Sequence, residues 1–312
     1  MSFQITDAMV KQYSSNVFHL SQQQGSRLSG MVRKESQKSE AAFYDRIGQV
    51  TAQLKVGRHS DTTYQDTPHS RRRVTLEDYF YADMVDEEDK LRIIMNPESE
   101  YAQAGKWALG RAMDDVIITA ALGSASAGKE GATPVPLPDT QKIAGFDGAT
   151  ATGVGLNVKT LRAVKKKFNA NEVEEGELFM AVTAEQLDNL LGETEVTSSD
   201  FNSVKALVQG DVDTFMGFKF LRIERLPAIA ATQDYNVVTG EVPGDASGTA
   251  PIGSRRCFAW RKEGILLSIA KDVQGRIDQL PTKHYAHQVY AKMGIGATRM
   301  EEVKVVEVIT KE

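Results

Sequence analysis

NPESEYAQAGKWALGRAMDDVIITAALG, residues 96–123, is the stretch on which the fold turns. Asn96 is a good N-cap and Pro97 suits the first helical position. Glu98 and Glu100 complement the positive end of the helix dipole. Tyr101, Ala104, Ala108, Ala112, Val116 and Ala120 recur every three or four residues and mark one helix face. Gly123 stands where a C-terminal cap belongs. The spacing predicts a helix roughly 39 Å long. Its alanine and glycine content lets other backbone approach closely, so it reads as a beam rather than the wall of a pocket.

Downstream, GSASAGKEG (Gly123–Gly131) spells a phosphate-binding loop except that Glu130 replaces the expected Ser or Thr. Such a loop needs a strand before it and a helix after it, so that backbone N–H groups and the dipole face the phosphates. Here a helix precedes, and Pro134, Pro136 and Pro138 forbid one from following. The stretch is expected to be a helix end and a flexible loop.

Upstream, residues 1–42 are mostly polar with scattered apolar residues, either a disordered tail or, as the large apolar residues favour, an arm laid across another surface. Val50, Ala52, Leu54 and Val56 alternate with polar residues, and so do Val74, Leu76, Tyr79 and Tyr81, with a change of phase. This predicts a two-stranded ribbon over residues 47–85. Its polar tip, GRHSDTTYQDTPHSRRR, would carry Arg71, Arg72 and Arg73.

Further along, QKIAG is strand-like, and Asn157 caps a basic amphipathic helix, NVKTLRAVKKKFNAN. ELFMAVT reads as a buried strand. Thr183 and Gln186 form a capping-box pair, and SSDFNSVKALVQG is another helix. FMGFKFLRIERLP reads as a strand ended by Pro227, and RRCFAWRKEGILLSIAK as a hairpin turning near Glu263 and Gly264. Two long strands joined through Ala297–Glu302 close the chain.

Composition bounds the function. With 312 residues, 41% apolar and 25% charged, most of the chain should fold. A net charge of −5 does not describe a protein coated with DNA-gripping faces, although Lys165, Lys166 and Lys167 cluster on one helix. The single cysteine, Cys257, excludes an intramolecular disulfide and reads as a core residue. MSFQITDAMVKQYSS lacks the apolar core of a secretory signal, and Val116–Leu122 is too short to span a bilayer. The chain is expected to be made soluble in the cytoplasm, with no membrane partner. His284 and His287 lack the zincin spacing, no G-x-S-x-G is present, and Asp114–Asp115 reads as a solvated face. No catalytic, cofactor or metal site is expected, so the chain is not read as an enzyme. The basic runs Arg71–Arg73 and Lys165–Lys167 read as nucleic-acid contact or as plain surface charge. For the ribbon, pairing of Arg71, Arg72 and Arg73 with a neighbouring copy is better motivated, and Asp86, Glu87, Glu88 and Asp89 are one candidate partner.

The order of parts, and the runs TPHSRRRVTLEDYFYADMVDEEDK, YAQAGKWALGRAMDD, ETEVTSSDFNSVKALVQGDVDTFMGFKF and GIGATRMEEVKVVEV, resemble the major capsid proteins of tailed bacteriophages. The likeness runs from about Gln12 to the end. It implies an α+β fold of the Hong Kong 97 type. Residues 1–42 would be the N-terminal arm and 43–85 the extended loop. Residues 86–150 and 270–312 would form the peripheral domain, with a spine helix at about 97–122, and 151–269 the axial domain. It implies self-assembly through pentamers and hexamers into an icosahedral shell around double-stranded DNA. The DNA would be touched non-specifically. The implied partners are a portal, a separate scaffolding protein and decoration proteins, and the implied place is the virion, after assembly in the host cytoplasm. Lys55 lies in the ribbon, but no asparagine partner is evident, so cross-linking is not expected. A bacterial nanocompartment shell and, more distantly, a nucleotide-binding enzyme using Gly123–Lys129 are the alternatives. Charge reversal at Arg72 and Arg73 is expected to weaken the shell while leaving the subunit folded.

Overall fold

A computed structural model describes residues 21–55, 57–58, 61–85, 98–144, 154–174, 176–192, 214–229, 236–238, 247–249 and 253–312. The expected residues Asn96 and Pro97, the acidic run Asp86–Asp89 and the helix predicted at SSDFNSVKALVQG lie outside them, as do residues 1–20. Among the described residues the α-helices are α1 (Glu98–Leu122), α2 (Val158–Ala170) and α3 (Ala184–Leu191). The early strands are β1 (Arg33–Ser36), β2 (Ala41–Ile47), β3 (His69–Thr75), β4 (Glu77–Val85), β5 (Ala125–Ala127), β6 (Thr133–Val135) and β7 (Lys142–Ala144). β8 (Leu178–Val182), β9 (Thr214–Phe215), β10 (Phe218–Arg222), β11 (Asn236–Val238) and β12 (Ser247–Thr249) follow. β13 (Ser254–Arg261), β14 (Ile265–Leu280), β15 (Ala286–Arg299) and β16 (Val305–Lys311) close the chain.

The chain divides into two compact units, Met1–Ser26 with Glu77–Asp114 and Ala270–Ile295, and Arg27–Leu76 with Asp115–Ile269 and Gly296–Glu312. The second unit holds an eight-stranded mixed sheet in the order β12-β11-β7-β16-β13-β8-β10-β9. Its centre is apolar on every residue of β8 and on Cys257–Trp260 of β13. The Trp260 ring packs there at a tilt against Phe258 and Phe179, with centroids 4.8 and 5.7 Å away. Val158, Leu161, Val164 and Phe168 bury the apolar face of α2. Asn157 caps that helix by accepting from the Thr160 N–H at 2.8 Å, as its sequence predicts. The capping box expected at α3 is not made. Gln186 is instead buried, accepting from Leu156 N–H and donating to Lys311 O. FMGFKF is not one strand but the β9–β10 hairpin, turned by Met216 (φ 53°) and Gly217 (φ 86°).

RRCFAWRKEGILLSIAK is not a hairpin. Both edges of β13 are taken, by β8 and β16, so β14 has no edge there to join. The chain leaves through Lys262–Gly264, where a side chain on Gly264 would come within 2.9 Å of Lys304 Cβ. β14 begins beside β1, in parallel register Arg33↔Leu266 to Ser36↔Ile269. The long hairpin of this region is β14–β15, turned at 281–285. Tyr285 N–H donates to Leu280 O at 3.1 Å, and His284 and Tyr285 take positive φ. No glycine announces that turn. In the first unit β15 pairs antiparallel with β4, from His287↔Val85 to Ile295↔Glu77.

The ribbon is shorter than its sequence suggests. β2 and β3 pair from Ala41↔Thr75 to Ile47↔His69, closed by Gly48 N–H on Pro68 O at 2.8 Å. The alternating Val50, Ala52 and Leu54 form no strand and are exposed. The phase change after Leu76 marks where the chain leaves β3 for another sheet. GSASAGKEG is likewise not a flexible loop. It forms β5, a turn with Gly128 (φ 93°) and Gly131 (φ 73°), and the start toward β6. β5 continues the small sheet β2-β3-β5-β6, with Pro134 on its edge strand, where a missing donor costs nothing.

α1 is buried along a face one residue round from the alanine stripe, through Leu109, Met113, Ile117, Ile118 and Ala121. The alanines are half-buried and Tyr101 is exposed. The close approach expected of this helix does occur. A Cβ at Gly105 would stand 2.5 Å from the Tyr81 ring, and one at Gly110 2.6 Å from Gly25 Cα.

Candidate subunit interface

The arginines do not sit at the ribbon tip. They lie in β3, with the tip residues 61–68 before them, and each points somewhere different. Arg71 is the outward one. Its Nε donates to Asp45 Oδ1 at 2.6 Å, and its guanidinium lies 5.4 Å over the Phe43 ring. That hydrogen bond holds the Asp45 carboxyl below the usual carboxylate range. Arg73 runs along Gly131, where a Cβ would stand 2.3 Å from its Cδ, and donates to Glu130 O at 3.3 Å. This contact requires glycine at 131.

Arg72 is turned inward and is 1% exposed. It is ion-paired and hydrogen-bonded to Glu302, whose side chain is 20% exposed. Arg46 lies 3.7 Å from the same carboxylate and Arg299 3.8 Å. Three guanidiniums thus surround one carboxylate. Burial draws Arg72 and Arg299 below the usual guanidinium range while Glu302 opposes the shift. Nε and Nη1 of Arg72 make no hydrogen bond among the described residues. The expectation that charge reversal at Arg72 leaves the subunit folded therefore does not stand: glutamate there would face Glu302 without solvent.

Arg299 is the hub that the sequence reading missed. It is fully buried, donates to Ala121 O and Gly123 O at 2.9 and 2.7 Å, and donates to Val135 O at 2.9 Å. Arg256 donates to Leu122 O and pairs with the buried Glu307. Two arginines thus take the last carbonyls of α1, a favourable placement at the negative end of the dipole. Gly123 ends that helix without a left-handed φ, since its N–H still reaches Thr119 O at 2.8 Å. The available signal was an arginine within GIGATRM, a charge at a core-facing strand position.

Asp114 was also misread as solvated. It is fully buried and accepts from Gln23 and Ser26 of the arm. Asp115 pairs with Arg225. The described part of the arm lies on its own chain: the Trp260 indole donates to Met31 O at 3.0 Å, and Ser268 Oγ donates to the buried Gln37 at 2.6 Å. Among the described residues, none covers the loop between β2 and β3 in this way. Leu54 is 90% and Tyr64 94% exposed, with Ile47 and Val50 also outward.

No pocket chemistry accompanies these features. Among the described residues no group of three His, Cys, Asp or Glu could hold a metal, and no helix is long and apolar enough to cross a membrane. His287 meets Gln279 at 2.9 Å. Cys257 is buried, and burial pushes its thiol up to about 12, the wrong direction for a nucleophile. Lys129 follows the Gly128 turn and precedes a strand rather than a helix, so the phosphate-loop spelling has no phosphate-loop geometry.

The model of the phage capsid protein family matches residues 5–312. The chain belongs to the phage capsid protein family. It is a structural capsid protein of the phage virion rather than an enzyme. Solved capsids share the fold over nearly the whole chain. The capsid of cyanophage P-SCSP1u is 15% identical, covering 99% of this chain and 94% of its own, at a TM-score of 0.71. That of cyanophage Pam1 is 14% identical over 98% and 97%, at 0.71. That of the Helicobacter pylori bacteriophage KHP30 is 10% identical over 99% and 97%, at 0.70. No curated protein is a significant sequence match. The mixed α+β architecture of the capsid protein is thus that of phage shells.

Proposed function

We propose that this capsid protein assembles through pentamers and hexamers into the icosahedral head of a tailed bacteriophage enclosing double-stranded DNA. The exposed loop between β2 and β3 carries this reading. It leaves Leu54 and Tyr64 uncovered among the described residues, and a neighbouring subunit would supply the missing surface. In this reading residues 1–42 are the arm, 43–85 the extended loop, 86–150 and 270–312 the peripheral domain, and 151–269 the axial domain. Arg71 and Arg73 at the loop base, with Asp86, Glu87, Glu88 and Asp89, are the interface candidates. Arg72 supports the loop from inside. A portal, a separate scaffolding protein and decoration proteins are the further partners, and assembly takes place in the host cytoplasm.

The test is Leu54→Ser with Tyr64→Ser. Exposed positions change subunit stability by no more than about 0.5 kcal/mol, so thermal unfolding of the free subunit should not move. Shell yield by light scattering and imaging should fall sharply. Shells forming at the wild-type yield would remove the covering role of the loop.

A further inference from the structure

We propose that the outward face of α2 is the surface on which this capsid protein touches the phosphate backbone of DNA, without reading its sequence. The inference rests on the capsid reading above. α2 carries Lys159, Arg162, Lys165, Lys166 and Lys167 and no acidic residue, in a chain whose net charge is −5. The sequence dictates where they point. Val158, Leu161, Val164 and Phe168 are buried, so Lys159, Arg162 and Lys166 are left on the exposed side.

A second feature gives the patch shape. Among the described residues Arg162, Lys165, Lys166, Asn169, Ala170 and Met216 line an open hollow of about 550 Å³, and no carboxylate is among those six. The β9–β10 turn is its far wall. Lys165 Nζ donates to Met216 O at 2.8 Å, and a Cβ on Gly217 would touch the same nitrogen at 3.4 Å. Lys165 is therefore held in place at the hollow's edge.

The chemistry favours phosphate over a protein partner. The core of a protein–protein interface is apolar and aromatic; this lining has no aromatic residue and is dominated by cations. Protein–DNA surfaces are polar and positive. Lysines present point charges rather than the planar fork that reads guanine, so the patch positions DNA without specifying it.

The test compares Arg162→Gln with Lys166→Gln against Lys38→Gln with Lys271→Gln. Both control positions are exposed, and the change in net charge is the same. The full-length chain is titrated with a short labelled duplex of mixed sequence across a salt series. Each phosphate contact contributes about −0.9 to the slope of log K against log salt, so losing two should flatten it by about 1.8. The expected result is that flattening, with affinity about tenfold lower at low salt, an unchanged control pair and shells of wild-type size. Equal losses in both pairs, or no loss in either, would overturn the assignment. So would a failure of the α2 variant to assemble while its DNA affinity holds, which would make the patch a contact between copies. Imaging of wild-type shells is read separately and bears on the capsid reading alone.

Discussion

Glu302→Gln is expected to destabilise the folded subunit by about 3–5 kcal/mol, the cost of removing one partner from a buried charge cluster. The glutamine keeps the size of the side chain and removes the carboxylate that Arg72 and Arg299 share, so two buried guanidiniums lose their nearest counter-charge. Arg46, on the exposed side of the cluster, can turn to water. Chemical denaturation of the free subunit measures the loss. Adding Arg72→Met should recover part of it, because replacing both members of a buried pair is far less costly than replacing one. A loss below about 1 kcal/mol, or a double variant no better than the single, would mean that the cluster is solvated. The consequence reaches assembly as well. β3 is tied through Arg72 to the segment after β15, and that tie holds the base of the exposed loop.

Trp260→Ala is expected to cost a similar amount, about 3–5 kcal/mol for a fully buried tryptophan. Its ring packs on Phe258 and Phe179 at the centre of the eight-stranded sheet. Its indole N–H also holds Met31 O, so the sheet core and the arm share one residue. Trp260→Phe separates the two roles. It keeps most of the packing and loses one hydrogen bond, about 0.5–1.5 kcal/mol. It should therefore leave the core folded while protease cuts the arm near Met31 more readily. Equal losses for Ala and Phe would contradict this division.

How much of this could be read from residues alone depends on the physics involved. Periodicity located α1 and α2, and Asn157 marks the start of α2 because a helix end leaves a chemical mark there. Burial of β8 was legible from five consecutive apolar residues. Which strand joins which was not. β13 and β14 look like a hairpin on paper, and only the occupied edges of β13 forbid it. The tight β14–β15 turn escaped because His284 and Tyr285, not glycine, adopt positive φ. The face of α1 was misjudged because alanine counts as apolar in a pattern, whereas Leu109, Met113 and Ile117 fill the core.

The candidate interface was legible in composition and misplaced in space. The run Arg71–Arg73 stood out, but a strand sends alternate side chains to opposite faces, so one run yields an outward Arg71 and a buried Arg72. Asp114 looks like an ordinary surface charge in sequence, and Arg299 is marked only as a charge at a core-facing strand position. Their roles come from carbonyls and an arm distant along the chain, which no local pattern announces.

Electron microscopy of the particles formed by the full-length chain, co-expressed with a scaffolding partner, tests the account most directly. The account predicts closed icosahedral shells of pentamers and hexamers, in which residues 48–68 of each subunit lie on a neighbour and cover Leu54 and Tyr64. A compact monomer that forms no particle at high concentration, or shells in which that loop stays in solvent, would contradict it.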